Sequence, residues 1–129
     1  MSESSLVRAC LTYLTINGCM VWRQNSGAMR IRAIGKRDRF IRFTGVLGIS
    51  DIVGIGPPPD GRAILVEAKR GRNKLTPAQA QFLDQARSHG AFAVCVWSVE
   101  ELERLWEGCR IGVALQRAIG IQDVMSNGP

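Results

Sequence analysis

The sequence contains few of the residues from which zinc sites and disulfide frameworks are built. His89 is the single histidine in the 129 residues. The cysteines are scattered and form no Cys-x-x-Cys pair: they are Cys10, Cys19, Cys95 and Cys109. Neither a zinc site nor a set of disulfides is therefore expected. Cys10 and Cys95 lie in apolar stretches, which is typical of buried, reduced thiols, and His89 is expected to cap the end of a helix.

Long apolar runs are missing as well. No stretch of about eighteen apolar residues occurs, so a membrane span is not expected. The segment from Met1 to Leu6 is polar and includes Glu3, and it lacks the basic flank and apolar core of a signal peptide. We therefore expect a cytoplasmic protein that has no membrane partner.

The composition is that of an ordinary globular domain, with 46% apolar and 22% charged residues. A chain of this length can bury a core as one domain. We expect the domain to occupy residues 1–108 and a partly ordered C-terminal extension to occupy residues 109–129.

The net charge of +6 is unevenly distributed along the chain. Residues 23–42 contain seven basic residues and one acidic residue, and a second basic group follows at residues 69–74. This distribution is typical of a phosphate-binding face, although a solvated basic surface would need the same residues. Asn25 and Ser26 either contact phosphate there or shape a turn. The basic residues expected on the phosphate-binding face are Arg30, Arg32, Lys36, Arg37, Arg39, Arg42, Arg70, Arg72 and Lys74.

The first half of the sequence predicts one helix followed by strands. The helix ends at Asn17-Gly18, and the apolar patterns that follow predict short strands over residues 21–25, 40–43, 51–55 and 63–69. The segment Pro57-Pro58-Pro59-Asp60-Gly61 is expected to form a tight turn. The last two strands are therefore expected to pair as an antiparallel hairpin.

The second half predicts a helix, a strand and a helix. Thr76, Pro77 and Gln79 have the spacing of an N-cap, a first-turn proline and a capping box. The apolar run over residues 92–97 predicts a strand buried on both faces, parallel to the 63–69 strand through a right-handed crossover. Ser98 begins the last helix. The predicted fold is α/β, with a mixed sheet flanked by helices. A helix is followed by three or four strands and then by a helix, a strand and a helix, which is αβββαβα when three strands are counted. The tryptophans are expected in the core: Trp22, Trp97 and Trp106.

Asp51, Glu67 and Lys69 form a candidate catalytic site. Glu67 and Lys69 are two residues apart at a strand end, so their side chains project from the same face. Asp51 opens the paired strand, and the hairpin can bring both carboxylates to one edge of the sheet. Two buried carboxylates repel each other, so the pair favours a hard cation such as Mg²⁺, with the Ala68 carbonyl as a further oxygen ligand. Lys69 can then orient or deprotonate a water that attacks phosphorus.

These residues resemble the D…ExK signature of the PD-(D/E)xK nuclease superfamily, with Ser50 at the position of the proline. Neighbouring segments resemble the VRR-NUC (virus-type replication-repair nuclease) domain, and the likeness runs from about Glu3 to Trp97. The segments are Trp22-Arg23-Gln24-Asn25-Ser26-Gly27, Gly48-Ile49-Ser50-Asp51-Ile52, Val66-Glu67-Ala68-Lys69, and Leu75-Thr76-Pro77-Ala78-Gln79 followed by Phe82. The resemblance implies a restriction-endonuclease-like fold.

The resemblance also implies a role for each matching residue. Asp51 and Glu67 would ligate Mg²⁺ or Mn²⁺, the Ala68 carbonyl would assist, and Lys69 would be catalytic. Glu3 would be an additional metal ligand from the first helix, although the helix dipole alone also favours an acid there. The role of Gln79 would be catalytic, although the capping box accounts for a glutamine at this position as well.

The activity implied by the resemblance is that of a metal-dependent, structure-selective DNA endonuclease. Such a protein would cleave branched DNA in repair, as Holliday-junction resolvases do. It would work as a homodimer, without a small-molecule cofactor, in a bacterial or phage-infected cell. One alternative is a non-catalytic nucleic-acid-binding module on the same fold, which would not need to keep both acids and the lysine. A second alternative is a restriction-type enzyme that reads a DNA sequence.

Overall fold

The computed structural model describes residues 2–24, 28–31, 39–42, 46–110 and 112, and for residues 28–31 and 39–42 it describes the backbone. No helix in these ranges is long and apolar enough to cross a membrane. Most of the expected C-terminal extension lies outside the described residues. So do five of the expected phosphate-contacting residues: Asn25, Ser26, Arg32, Lys36 and Arg37.

A four-stranded mixed sheet forms the centre of the fold, and its strands lie in the order β1-β4-β5-β6. Its members are β1 (Met20–Arg23), β4 (Ile52–Ile55), β5 (Ala63–Ala68) and β6 (Phe92–Val96). The β4–β5 pair is antiparallel and the β5–β6 pair is parallel, which confirms both predicted pairings.

A separate two-stranded antiparallel sheet is formed by β2 (Ala28–Ile31) and β3 (Arg39–Arg42). The sequence predicts one strand near the position of β3 and none at β2, so five strands precede the second helix instead of three or four. A two-stranded hairpin has no broad buried face, and its four-residue strands carry little of the apolar alternation that identifies a strand in sequence.

Helices pack on both faces of the central sheet. On one face lie α1 (Glu3–Ile16) and a helix over residues 99–110, α3. The core on this face contains Leu6, Val7, Cys10, Leu14, Ile52, Ile64, Val66, Ala68, Phe92, Val96, Leu102 and Trp106. On the other face lies α2 (Pro77–Ser88), whose Leu83 packs against Leu65 and Ala93.

The helix ends follow the sequence signals. Thr76 and Gln79 form the complete capping box of α2, and His89 is its C-cap residue, as expected. The Ser98 hydroxyl accepts a hydrogen bond from the Glu101 amide at 3.1 Å, which caps the start of α3. The cysteines of the described residues are all free thiols. Cys10 is fully buried as expected, whereas Cys95 is only half-buried.

The expectation that all three tryptophans lie in the core is wrong for Trp22. Trp106 is buried, but Trp97 is only half-buried and Trp22 is 45% exposed. In the sheet register Trp22 lies opposite Val53, whose face is the one covered by α2. The apolar cluster beneath α2 is centred on β5 and β6, so the tryptophan of the edge strand β1 remains exposed.

The turn that leads into β4 rests on the first turn of α2. Gly48 in this turn has a φ of +80°, and a Cβ atom added to it would overlap the Ala78 carbonyl and lie 2.8 Å from the Gln79 nitrogen. A glycine is therefore required twice at this position, once by the left-handed backbone and once by the close approach of the helix. This contact joins the segment before Asp51 to the helix that carries Gln79.

We expect Gly48→Ala to lower the free energy of unfolding by about 2–4 kcal/mol, because backbone strain and steric overlap add. The matched control is Gly90→Ala: Gly90 also has a positive φ, but no atom lies within 4 Å of its added Cβ. That variant should lose about 1–2 kcal/mol from strain alone. Urea denaturation measures both losses, and equal losses would contradict the close packing of Gly48 against α2.

Candidate active site

Asp51 and Glu67 meet at one end of the β4–β5 hairpin. The register that pairs Ile52 with Val66 brings Asp51, just before β4, beside Glu67 in β5. The Asp51 amide donates a hydrogen bond to Glu67 Oε2 at 3.2 Å, and the Ala68 amide donates one to Asp51 Oδ2 at 3.0 Å. Each carboxylate is thus held by the backbone of the other strand.

Lys69 lies on the same side of the strand as Glu67, as the alternation of side chains predicts. Its Nζ is 3.5 Å from Glu67 Oε1, and its side chain is 12% exposed. The Lys69 amide donates to the Val96 carbonyl at 2.9 Å, which continues the β5–β6 pairing past the end of β5. The ammonium group is therefore held beside the carboxylate pair.

Gln79 is both a helix-capping residue and part of the site. Its Oε1 accepts a hydrogen bond from the Thr76 amide at 2.9 Å, which closes the capping box. Its Nε2 donates to Glu67 Oε1 at 3.0 Å. The side-chain oxygen of Gln79 thus caps the helix, while its side-chain nitrogen contacts Glu67 in the candidate site.

Glu67 is a strongly perturbed acid. It is 3% exposed, and burial raises the pKa of its carboxyl to about 8, with a further raising contribution from the negative charge of Asp51 and a lowering one from Lys69. Without a bound cation, the ionised pair therefore costs free energy in the folded state. A perturbed acid beside a second acid and a largely buried lysine is typical of a catalytic centre.

The donor atoms of this site fit a hard divalent cation. Asp51 and Glu67 supply carboxylate oxygens, and the Ala68 carbonyl lies between the glutamate and the lysine in sequence. Oxygen ligands of this kind suit Mg²⁺ or Mn²⁺. The Ser50 hydroxyl, directly before Asp51, is also buried and has no hydrogen-bond partner among the described residues.

Cys95 is a neighbour of the site that the sequence analysis missed. It lies opposite Glu67 in the parallel β5–β6 register. Burial raises the pKa of its thiol to about 11, so it remains a neutral thiol rather than a thiolate ligand. No local motif marks this residue, because its place beside Glu67 depends on the pairing of two strands that are distant in sequence.

Glu3 does not join the carboxylate pair. It is exposed in the first turn of α1, and within the described ranges no three histidine, cysteine, aspartate or glutamate side chains form a group that could hold a metal. The reason is topological: α1 packs against the sheet face of Val66 and Ala68, whereas Glu67 contacts Gln79 of α2 on the opposite face.

The basic residues divide between two elements. Arg72 and Lys74 are exposed on the loop between β5 and α2, whereas Arg70 in this loop is half-buried. The guanidinium of Arg70 donates from Nη1 to the Trp97 carbonyl at 3.4 Å. The positions of the β2–β3 hairpin that are expected to contact phosphate are Arg30, Arg39 and Arg42.

Comparison with known proteins identifies the fold. No protein-family model matches the sequence, and no curated protein matches it. A solved VRR-NUC domain matches with a TM-score of 0.55 and 21% sequence identity, over 81% of this chain and 94% of that domain. The chain thus has the fold of a VRR-NUC domain, a mixed sheet flanked by helices, as the sequence resemblance implies.

The carboxylate pair leads to a prediction about stability. The pKa of Glu67 in the folded state lies above its ordinary value of 4.5, so the metal-free protein should lose stability as the pH rises from that value through about 8. At pH 8 in a chelator, Glu67→Gln removes the buried charge and should raise Tm by about 3–6 °C, which corresponds to about 1 kcal/mol. Differential scanning calorimetry measures this change.

Addition of Mg²⁺ should raise the Tm of the wild-type protein, because a bound cation stabilises the folded state, and should leave that of Glu67→Gln almost unchanged. Glu103→Gln is the matched control, because Glu103 is exposed on α3; it should behave as the wild type does. Equal Mg²⁺ shifts in the wild type and in Glu67→Gln would show that the carboxylate pair does not bind the cation.

Proposed function

We propose that this protein is a Mg²⁺-dependent DNA endonuclease that hydrolyses phosphodiester bonds in branched DNA, with Mn²⁺ as a substitute for Mg²⁺. The observation that carries the proposal is the part-buried contact of the Asp51 amide with the Glu67 carboxylate, with the Lys69 ammonium 3.5 Å from Glu67. The nuclease-type fold and the exposed basic loop beside this site support it.

Each residue of the site has a chemical task in this proposal. Asp51 and Glu67 would hold the cation through their carboxylates, and the Ala68 carbonyl would assist. When bound, Mg²⁺ supplies Lewis-acid activation of the phosphate and lowers the pKa of a water ligand. The Lys69 ammonium donates a hydrogen bond to the attacking water or to the phosphate, and so offsets the negative charge that develops on the phosphate oxygens. Gln79 keeps Glu67 in place through its hydrogen bond to Oε1.

The DNA backbone is proposed to lie against the basic residues of two elements. Arg72 and Lys74 are exposed on the loop that follows Lys69. The β2–β3 hairpin contributes the positions Arg30, Arg39 and Arg42. Neutralisation of several phosphates by these residues would release counterions, so binding should weaken steeply as the salt concentration rises.

Cleavage of labelled DNA tests the proposed activity. The wild-type protein with Mg²⁺ should cut four-way junctions faster than linear duplexes of the same sequences. Asp51→Asn should abolish cleavage and keep DNA binding. Lys69→Met should lower the cleavage rate by about 10²- to 10³-fold, the usual cost of losing one donor to the negative charge that develops in the transition state. Denaturing gels quantify the products.

Asp84→Asn is the matched control, because Asp84 forms an exposed ion pair with Arg87 on α2. It should cleave at the wild-type rate. If no DNA is cut with either Mg²⁺ or Mn²⁺ while binding persists, the protein is a nucleic-acid-binding module and the proposed activity is wrong. Equal cleavage of junctions and linear duplexes would refute the branched-DNA preference alone.

We also propose that the protein acts as a homodimer, because a four-way junction presents two symmetric strands and its resolution requires paired active sites. Multi-angle light scattering, at the concentrations that cut junctions, should give about twice the chain mass of 14.2 kDa. A monomer mass under conditions of full junction cleavage would contradict this proposal.

A further inference from the structure

The loop between β5 and α2 lies beside the carboxylate pair and is held by residues at the end of β6. We call residues 70–75 the basic loop; its exposed cations are Arg72 and Lys74. The loop begins directly after Lys69, whose amide bonds to the Val96 carbonyl. The position of the basic loop relative to the candidate active site therefore depends on the hydrogen bonds between the rest of the loop and the sheet.

Trp97, directly after β6, forms such a hydrogen bond. Its indole Nε1 donates a hydrogen bond to the Asn73 carbonyl at 3.0 Å, across 24 residues of sequence. Within the loop, the Asn73 amide donates to the Arg70 carbonyl at 3.1 Å, which closes a turn. The Arg70 guanidinium in turn donates to the Trp97 carbonyl at 3.4 Å. The loop and the tryptophan thus form a closed set of three hydrogen bonds.

These contacts give the cations of the loop different tasks. Arg70 is half-buried and its guanidinium is bonded to the Trp97 carbonyl, so it holds the loop rather than extending into solvent. Arg72 and Lys74 flank Asn73, the residue that Trp97 holds, and both are exposed. If the loop is already ordered in the free protein, DNA binding does not have to include the entropy cost of ordering the loop. The affinity for DNA is then higher.

We propose that Trp97 is a positioning residue for DNA binding: its indole N–H holds the basic loop so that Arg72 and Lys74 contact the DNA backbone next to the active site. This inference rests on the proposed function and adds to it the residues that place the phosphate contacts. Trp97 itself does not contact the DNA.

Trp97→Phe removes the N–H donor and keeps an aromatic ring. Binding to a fluorescent four-way junction in chelator, measured by anisotropy between 50 and 200 mM salt, should weaken about fivefold, the factor that corresponds to one hydrogen bond of about 1 kcal/mol. The slope of log Kd against log salt should fall by about one unit, as for the loss of one phosphate contact. Trypsin should also cleave faster after the basic residues of the loop.

Trp106→Phe is the matched control. Trp106 is buried, and within the part of the chain that the structure describes its indole N–H has no hydrogen-bond partner, so the same substitution breaks no such bond. This variant should keep the wild-type affinity, salt slope and rate of trypsin cleavage in the loop, even if packing changes lower its Tm.

A double-mutant cycle separates positioning from simple stabilisation of the fold. In an Arg72→Ala, Lys74→Ala background, Trp97→Phe should have almost no further effect on Kd, because the contacts it positions are gone. A full fivefold effect in that background, or wild-type affinity of Trp97→Phe itself, would overturn the inference.

Binding is measured without cleavage, so the inference and the proposed activity can fail separately. A protein that binds but never cuts would refute the proposed activity and leave this inference standing. A wild-type protein that binds no DNA would refute both.

Discussion

The part-buried contact between Asp51 and Glu67 is the constraint on which the rest of the candidate site depends. Two carboxylates that both ionise in a poorly solvated place repel each other, and the fold supports them only with compensating groups. Here the backbone amides of Asp51 and Ala68 and the side chains of Lys69 and Gln79 provide that compensation. The first three groups lie in or next to strands β4 and β5, and Gln79 lies in the first turn of α2.

Contacts within the sheet and contacts with α2 both position these groups. The antiparallel β4–β5 pairing brings the two acids together, and the parallel β5–β6 pairing places Val96 and Trp97 beside Lys69 and the loop that follows it. The first turn of α2 presents Gln79 to Glu67 and also receives the glycine turn before Asp51. Loss of any one of these contacts would therefore change the positions of the groups around the carboxylate pair.

Much of the site could be predicted because its signals are local. A proline-rich turn between two apolar strands predicts a hairpin, and a hairpin brings its first and last residues together. The capping box predicts the start of α2 to the residue. The sequence predicts a strand near β3 but none at β2, since four-residue strands that carry basic residues lack a clear apolar period. The sequence leaves two roles open for Glu3, since an acid at a helix start satisfies the dipole wherever the helix packs.

The sequence by itself determined the hairpin, the helix caps and the identity of the acids and the lysine, because these depend on residues close together in the chain. Only the tertiary structure decided which groups surround them. It packed α1 on the face opposite Glu67, left Trp22 exposed on an edge strand, and joined Trp97 to Asn73. Burial and distant contacts arise from the packing of whole elements, and no short pattern of residues encodes that packing.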